Sequence, residues 1–236
     1  MFEKDNCFRE CGIMEGNYEK VFIISGGSID DAFAIDWIKQ YQPEYMIVAD
    51  SGMEFVRRAG LVPNMIIGDF DSVASETLEL FRAECIEKGI IWKELNPIKD
   101  DTDTEFAIRQ AMDLGTKEIV ILGGTGTRLD HVLGNIALLG IGLEEGISIQ
   151  LVDVHNRIRM IDKPLQFRKE EQFGNMVSLV PYFGKVKGLT LKGFKYPLED
   201  FTMGGFSSLG ISNEIVDEVG EIIFEEGYLI VIEARD

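Results

Sequence analysis

Two carboxylates lie close together in the segment Gly68-Asp69-Phe70-Asp71-Ser72, which follows the apolar run Met65-Ile66-Ile67. Carboxylates two residues apart repel each other unless a cation neutralises them, because like charges disfavour each other's ionisation. Mg²⁺ is usually held by one or two carboxylates together with phosphate oxygens and water. The segment therefore predicts a magnesium site at Asp69 and Asp71. The alternative is an Asx-turn that only shapes the loop.

A second acidic segment, Lys99-Asp100-Asp101-Thr102-Asp103-Thr104-Glu105, precedes a helical pattern. Thr102 and Glu105 have the spacing of a capping box, and Asp103 in the first turn favours the positive end of a helix. Four of these seven residues are acidic, which is more than a cap needs. Asp103 is therefore predicted to point across the strand ends and to join the first pair of carboxylates around the metal.

The segment Gly123-Gly124-Thr125-Gly126-Thr127-Arg128 lies between a predicted strand and a predicted helix. Its glycines let backbone N–H groups face phosphates, the helix start adds positive potential, and Arg128 supplies a fixed cation. Gly26-Gly27-Ser28 offers a similar but weaker arrangement after the first apolar run. Neither segment matches G-x-x-x-x-G-K-[ST], which excludes a Walker-type nucleotide site.

The segment Asp50-Ser51-Gly52 follows the apolar run Met46–Ala49. An Asp or Ser at this position can cap the next helix, which is the structural interpretation. A glycine there also lets a ligand approach the backbone closely, which is the functional one. Because the polar segments all follow predicted strands, we expect them to meet at one edge of a sheet.

The framework that positions these segments is predicted to be α/β, because apolar runs alternate with helical patterns through the first two-thirds of the chain. The predicted strands are Val21–Ser25, Tyr45–Ala49, Met65–Gly68, Ile90–Trp92, Glu118–Leu122 and Ile147–Val152. The predicted helices are Ala32–Gln40, Gly52–Ala59, Ser75–Lys88, Asp103–Leu114 and Leu129–Glu145. Nearly uninterrupted apolar strands indicate burial on both faces, and hence a parallel sheet between helices.

After about residue 155 the helical period ends, and short apolar segments punctuated by glycine and proline follow. These segments are Arg157–Ile161, Met176–Pro181, Lys185–Leu191, Ile211–Val216, Glu221–Phe224 and Tyr228–Glu233. They are typical of antiparallel strands in a sandwich or barrel. We therefore predict an N-terminal extension (residues 1–19), an α/β domain (residues 20–154) and a β-sandwich domain (residues 155–236).

The composition excludes several classes of function. The 236 residues include 23 Lys and Arg against 41 Asp and Glu, a net charge of −18. Such a surface repels nucleic acids, so binding of DNA or RNA is not expected. No stretch approaches the roughly 20 apolar residues of a membrane span. Cys7, Cys11 and Cys85 lack paired metal-ligand spacing, so we expect free thiols in a cytoplasmic protein.

In this order, the segments Ala49–Gly52, Pro63–Ser72, Lys99–Asp103 and Gly123–His131 resemble those of the thiamine pyrophosphokinase family. Residues Gly188–Leu198 and Ser207–Asn213 resemble its C-terminal β-sandwich, and the resemblance covers roughly residues 20 to 233. It implies a Mg²⁺-dependent enzyme that transfers the diphosphate of ATP to the hydroxyl group of thiamine. It also implies a homodimer whose active site lies between the α/β domain of one subunit and the β-sandwich, a thiamine-binding and dimerisation domain, of the other.

The resemblance further implies the roles of individual residues. The implied metal ligands are Asp69, Asp71 and Asp103, which form the catalytic set together with Arg128. The implied ATP-binding residues are Asp50, Ser51, Gly52, Thr102, Gly124, Thr125 and Arg128, and the implied thiamine-binding residues are Asp130, Ser212 and Asn213. Some members place a tryptophan against thiamine. Here both tryptophans, Trp37 and Trp92, lie in the first domain, so Phe206 or another aromatic residue is expected in that place.

Two other functions remain as alternatives. A Mg²⁺-dependent phosphohydrolase acting on nucleotides would be served equally well by the acidic segments alone, and the resemblance of the second domain argues against it. A non-catalytic protein that binds thiamine or a nucleotide on the same fold would not need three converging carboxylates.

Overall fold

The computed structural model describes residues 18–96 and 101–236 of the chain. Outside them lie most of the predicted N-terminal extension, Cys7, Cys11, Lys99 and Asp100. Among the described helices, none has the length and apolar character needed to cross a bilayer.

Strands and helices alternate in the first part of the chain, as predicted. The strands are β1 (Lys20–Ile24), β2 (Tyr45–Ala49), β3 (Met65–Gly68), β4 (Ile91–Glu94), β5 (Glu118–Leu122) and β6 (Ser148–Val152). The helices are α1 (Asp31–Tyr41), α2 (Gly52–Ala59), α3 (Ser75–Lys88), α4 (Asp103–Asp113) and α5 (Leu129–Glu145). Local signals set several of the helix ends: the Asp30 side chain accepts a hydrogen bond from the Phe33 N–H, and Gly60 ends α2 in the left-handed region.

Strand β1 lies between two parallel neighbours. The strand order is β4-β3-β2-β1-β5-β6, with Ile24 opposite Val48 of β2 and Leu122 of β5. Strands β2, β3 and β4 follow one another outward from β1 on one side of the sheet, and β6 lies outward from β5 on the other side. The loops that follow β1 and β5 therefore diverge, and a crevice opens beyond their carboxyl ends.

Both faces of this sheet are buried, which explains the apolar strands. In β1, Val21 and Ile23 pack in the core that includes α4 and α5, whereas Phe22 and Ile24 pack in the core that includes α1, α2 and α3. All four side chains are fully buried. Helices on both faces of a parallel sheet require this pattern.

Antiparallel strands form the second part of the chain. They are β7 (Asn156–Ile161), β8 (Leu165–Arg168), β9 (Met176–Lys192), β10 (Leu198–Met203), β11 (Val219–Ile223) and β12 (Glu226–Ala234). The first half of β9 pairs with β12, and its second half pairs with β10 and β11. Phe183, with φ of 58°, lies between the two halves of β9. Side chains of these antiparallel strands form a third hydrophobic core. The predicted fold class is thereby confirmed.

Several predicted strands in this part were wrong in detail. Residues Ile211–Val216 form only isolated bridges, Val177 to Asn213 and Phe194 to Ile215. The two strands predicted within residues 176–191 are the single strand β9. Strands β8 and β10 were not predicted, because β8 is only four residues long and most of β10 is exposed and lacks apolar alternation.

Strand pairing continues from the parallel part into the antiparallel part. β6 pairs with β7, and Asp153 Oδ1 in the connecting turn accepts the N–H groups of His155 (2.8 Å) and Asn156 (2.7 Å). Strand β12 serves both parts, since Ile230 packs in the α4/α5 core and Leu229 in the third core. The domain boundary between residues 154 and 155 falls within this turn and stays a prediction.

Glu233 on β12 is a fully buried charge beside the same junction. Its carboxylate accepts hydrogen bonds from Arg157 (2.7 and 2.8 Å), from Arg159 (2.6 Å) and from the Phe173 N–H (3.1 Å). Both arginines lie on β7, so the ion pairs hold β12 against β7. The sequence does not predict this cluster, because its members are distant in the chain.

We expect Glu233→Gln to lower the free energy of unfolding by about 3 kcal/mol, because it leaves two largely buried guanidinium groups without a counter-charge. Glu226→Gln is the matched control on β12, since Glu226 pairs with Lys187 at 2.7 Å in solvent. That pair is expected to contribute less than about 1 kcal/mol. Urea denaturation measures both variants, and equal losses would contradict the assignment.

Candidate active site

The divergence of the loops after β1 and β5 opens a cleft of about 650 Å³. The predicted site residues that line it are Asp50, Ser51, Thr102, Asp103, Gly124, Thr125, Arg128 and Asp130. Gly52, Asp69, Asp71, Ser212 and Asn213 are not among its lining residues. The crevice at a switch point of strand order is where ligands bind in open α/β sheets.

The two glycine-rich loops are packed against each other at the centre of the cleft. The Gly27 N–H donates to the Gly123 carbonyl, and the Ser28 N–H donates to the Thr125 carbonyl, both at 2.8 Å. A Cβ atom on Gly27 would lie 2.2 Å from the Thr125 oxygen, so only glycine fits there. These two N–H groups are thus engaged within the protein, which removes them from the predicted phosphate cradle.

The loop after β5 keeps its own N–H groups available. Within the described residues, the backbone N–H groups of Gly124 to Arg128 have no backbone acceptor. Arg128 is the N-cap of α5 and makes no side-chain capping bond, so the first turn of this 17-residue helix stays open. Unpaired N–H groups and the helix dipole together favour an anion at this place. Asn135 supports the loop by donating to the Gly124 carbonyl at 2.7 Å.

Asp50 occupies an unusual backbone position at the end of β2. Its φ of 45° lies in the left-handed region, and its N–H donates to the Ile67 carbonyl of β3 at 2.8 Å. Strain of this kind in a non-glycine residue persists only where the surrounding structure enforces it. The capping interpretation of this segment was wrong, since Ser51 is the N-cap of α2 and makes no side-chain capping bond.

Asp50, Asp69 and Asp71 form one carboxylate group, with a ligand oxygen from each within 4.8 Å of the others. Asp50 Oδ1 is buried and has no hydrogen-bond partner among the described residues, which is costly for a carboxylate oxygen. The Asp71 N–H donates to Asp69 Oδ1 at 3.2 Å, so the Asx-turn considered above is also present. Three oxygens of this kind, one of them unpaired and buried, fit a hard divalent cation.

The metal set expected from the sequence therefore differs from the observed group by one residue. Asp103 lines the cleft at the start of α4 but is not a member of the carboxylate group. Thr102 is the N-cap of that helix, and its Oγ1 accepts the Glu105 N–H at 3.2 Å, as a capping box requires. The metal role of Asp103 stays a prediction, while Asp50, for which the resemblance implies a role in ATP binding, joins the carboxylates.

Arg128 and Asp130 form an exposed ion pair at the mouth of the cleft. The guanidinium donates to both carboxylate oxygens, at 2.6 and 3.2 Å. This hydrogen bonding lowers the pKa of Asp130 to about 2 and raises the pKa of Arg128. Two groups expected to bind different substrates are thus paired with each other.

The residues predicted to bind thiamine from the second part of the chain are built differently. Ser212 is exposed, has a φ of 57° and donates its N–H to Ser178 Oγ at 2.9 Å. Asn213 is buried, and its amide bonds the Tyr196 backbone, accepting at 3.0 Å and donating at 2.8 Å. Within this chain Asn213 holds the segment in place.

Two polar contacts that position the cleft were not predicted from the sequence. Thr125 Oγ1 donates to Asp153 Oδ2 at 2.8 Å, which ties the glycine-rich loop to the turn after β6. The hydroxyl groups of Ser25 and Thr104 lie 2.9 Å apart and join the loop after β1 to α4. Asp153 and Ser25 follow apolar strands, and that position was the signal available in the sequence.

Comparison with known proteins gives a consistent result over both parts of the chain. The family model "Thiamin pyrophosphokinase, catalytic domain" matches residues 39–151, and the model "Thiamin pyrophosphokinase, vitamin B1 binding domain" matches residues 164–229. A thiamine pyrophosphokinase from Bacillus subtilis is 34% identical over 190 residues, 80% of this chain and 87% of that protein.

Comparison with solved structures points to the same family. A crystal structure of thiamine pyrophosphokinase from Bacillus subtilis is 33% identical with a TM-score of 0.81, covering 92% of this chain and 100% of that one. A crystal structure of the protein of the same name from Geobacillus thermodenitrificans is 30% identical with a TM-score of 0.77, covering 92% and 98%.

The ion pair at the cleft mouth gives a pH-dependent prediction. We expect Arg128→Gln to return the pKa of Asp130 from about 2 toward the ordinary value near 4, because the charged donor is lost. In the parent, the contribution of this pair to stability is complete above the ordinary pKa and disappears as the pH falls through about 2. Carboxyl-carbon NMR titration measures the shift, with Lys187→Gln as a control at a distant ion pair. An unchanged pKa of Asp130 in Arg128→Gln would refute the assignment.

Proposed function

Because the chain belongs to the thiamine pyrophosphokinase family, we propose that diphosphate transfer takes place in the cleft between the loops after β1 and β5. The activity is transfer of the diphosphate of ATP to the hydroxyl group of thiamine, which gives thiamine diphosphate and AMP. One observation carries the assignment of the site: Asp50, from the carboxylate group, and the open start of α5 line the same cleft. The Asp50 carboxylate supplies oxygen ligands for a cation, and the start of α5 supplies hydrogen-bond donors for phosphate.

The triphosphate is proposed to lie along the start of α5. The N–H groups of residues 124–128 and the Arg128 guanidinium bind its oxygens, and Arg128 leaves Asp130 to do so. Asp50, Asp69 and Asp71 hold Mg²⁺, with Asp103 as a further ligand. Bound Mg²⁺ screens the phosphate charge and helps to align the phosphates.

The transfer step then depends on alignment. The thiamine hydroxyl oxygen attacks the β-phosphorus of ATP. The bond between the β-phosphorus and the oxygen that bridges it to the α-phosphorus breaks, and AMP leaves with that oxygen. The hydroxyl proton passes to one of the cleft carboxylates or to solvent. Asp130, released from Arg128, pairs with the cationic or amino-bearing part of thiamine.

A homodimer is proposed to complete the site. Ser212, assigned to thiamine, does not line the cleft of its own chain. Large apolar side chains are exposed in the second part of the chain, among them Phe183, Phe206, Leu209 and Ile211, of which the last two are close to Ser212 in sequence. Exposed apolar groups of this kind mark interaction surfaces, and a second copy would bring Ser212 and Phe206 to the cleft of its partner. The use of ATP as donor supports a cytoplasmic location.

The two alternatives are less well supported. The match of residues 164–229 to a vitamin B1 binding domain argues against a nucleotide phosphohydrolase. The converging carboxylates argue against a protein that only binds its ligands.

We expect equal amounts of AMP and thiamine diphosphate from ATP, Mg²⁺ and thiamine. Asp71→Asn should lower turnover at least about a hundredfold, since it removes one charged group from the active site. Asp113→Asn, at the end of α4 and outside the cleft, should keep the parent rate. Chromatography of nucleotides and thiamine phosphates reads out all three proteins. Formation of ADP and thiamine monophosphate would reject the reaction, and thiamine-independent phosphate release would favour the phosphohydrolase.

Mixed dimers test the shared site. Asp71→Asn damages the carboxylate group, and Ser212→Arg places a cation where cationic thiamine is expected, so each variant alone should be inactive. Random mixing of the two chains should restore about a quarter of the parent activity, because half of the dimers then carry one intact site. Sedimentation measures whether the parent and the mixtures are dimers, and a fully active monomer would contradict the shared site. Mixtures that stay as inactive as the separate variants would show that each site belongs to a single chain.

A further inference from the structure

Ser72 connects the two loops that carry the carboxylate group. Its hydroxyl donates a hydrogen bond to Asp50 Oδ2. Asp50 follows β2, whereas Ser72 ends the turn that follows β3 and contains Asp69 and Asp71. The contact therefore joins one carboxylate of the group to the segment that holds the other two.

The turn that carries Ser72 is itself fixed. Phe70, with φ of 61°, is buried, and its ring lies 4.4 Å from the ring of Trp92. A Cβ atom on Gly68 would lie 3.1 Å from the Asp50 Cα, so glycine allows the end of β3 to approach Asp50 closely. Ser72 thus reaches Asp50 from an anchored segment.

The two oxygens of Asp50 have different surroundings. Oδ2 accepts from Ser72, while Oδ1 is buried and has no partner within residues 18–96 and 101–236. The side chain belongs to the carboxylate group. Mutual repulsion with Asp69 and Asp71 favours rotation of the Asp50 side chain away from the group. A hydroxyl bond on Oδ2 opposes that rotation and leaves Oδ1 for a cation.

We propose that Ser72 is a positioning residue that holds Asp50 in the geometry needed to bind a divalent cation. This inference rests on the cation site of the proposed function. Ser72 does not contact the cation; it orients a carboxylate that does, in the way that outer hydrogen-bond partners orient metal ligands. Each member of the segment from Gly68 to Ser72 then has a role. Gly68 allows the close approach to Asp50, and Phe70 anchors the turn. Asp69 and Asp71 are cation ligands, and Ser72 positions Asp50.

Binding of Mn²⁺ alone, followed by electron paramagnetic resonance without nucleotide, tests the proposal. Ser72→Ala should weaken Mn²⁺ binding about tenfold or more, the range found when outer partners of metal ligands are removed. Ser72→Thr keeps the hydroxyl group and should bind as the parent does. Ser75→Ala, at the exposed first position of α3, is the matched serine control and should be unchanged.

Thermal melts separate positioning from a general structural role. In EDTA, Ser72→Ala should melt at the parent temperature, and only the stabilisation by added Mn²⁺ should shrink. Equal Mn²⁺ affinity in Ser72→Ala and the parent would overturn the role of Ser72 and leave the cation site intact. A threonine variant as weak as the alanine variant would overturn it too. Absence of Mn²⁺ binding by the parent would instead overturn the cation site, and the positioning role with it.

Discussion

The parallel pairing of β1 with β2 on one side and β5 on the other is the constraint on which the site depends. Hydrogen bonds hold the carboxyl ends of the three strands side by side, with Ile24 opposite both Val48 and Leu122. The following loops must then leave in different directions, and they enclose the cleft. Burial of both faces stabilises this arrangement, because a shift of one residue would exchange the side chains of the two cores.

Electrostatics set the second constraint. In a chain of net charge −18, Asp50, Asp69 and Asp71 are held within 4.8 Å of one another, which opposes folding when nothing neutralises them. The fold tolerates this cost through rigid local geometry, including left-handed backbone at Asp50 and Phe70. Across the cleft, the open start of α5 provides the complementary positive potential. In the proposed function, a triphosphate with its cation would neutralise the carboxylates and fill the open helix start at once.

The antiparallel part extends the same sheet. β7 continues from β6, and β12 contributes side chains to two cores, so the two parts share strands as well as surfaces. The buried Glu233 carboxylate and the partly buried Arg157 and Arg159 side chains that pair with it lie at this junction. Ser212 nevertheless does not line the cleft of its own chain. A rigid connection combined with this separation is what a site shared between two chains would require.

Much of the protein followed from the sequence alone, because the signals were local. Apolar strands such as Val21–Ile24, the Thr102 cap and the order of polar segments were enough to predict the fold class and the edge of the sheet that bears the cleft. Short or exposed strands such as β8 and β10 were not predicted, since their own sequences carry little strand signal and they form by pairing with other strands.

The tertiary structure alone decided which polar groups meet. Asp50 and Ser72 are 22 residues apart, and their contact exists because β2 and β3 end side by side. The same holds for Glu233 with Arg157, 76 residues apart, and for the pairing of Gly27 with the loop after β5. Residue types determined which chemistry was possible. Strand order determined which residues come together to perform it, because contacts between loops depend on which strands are neighbours in the sheet and not on distance along the chain.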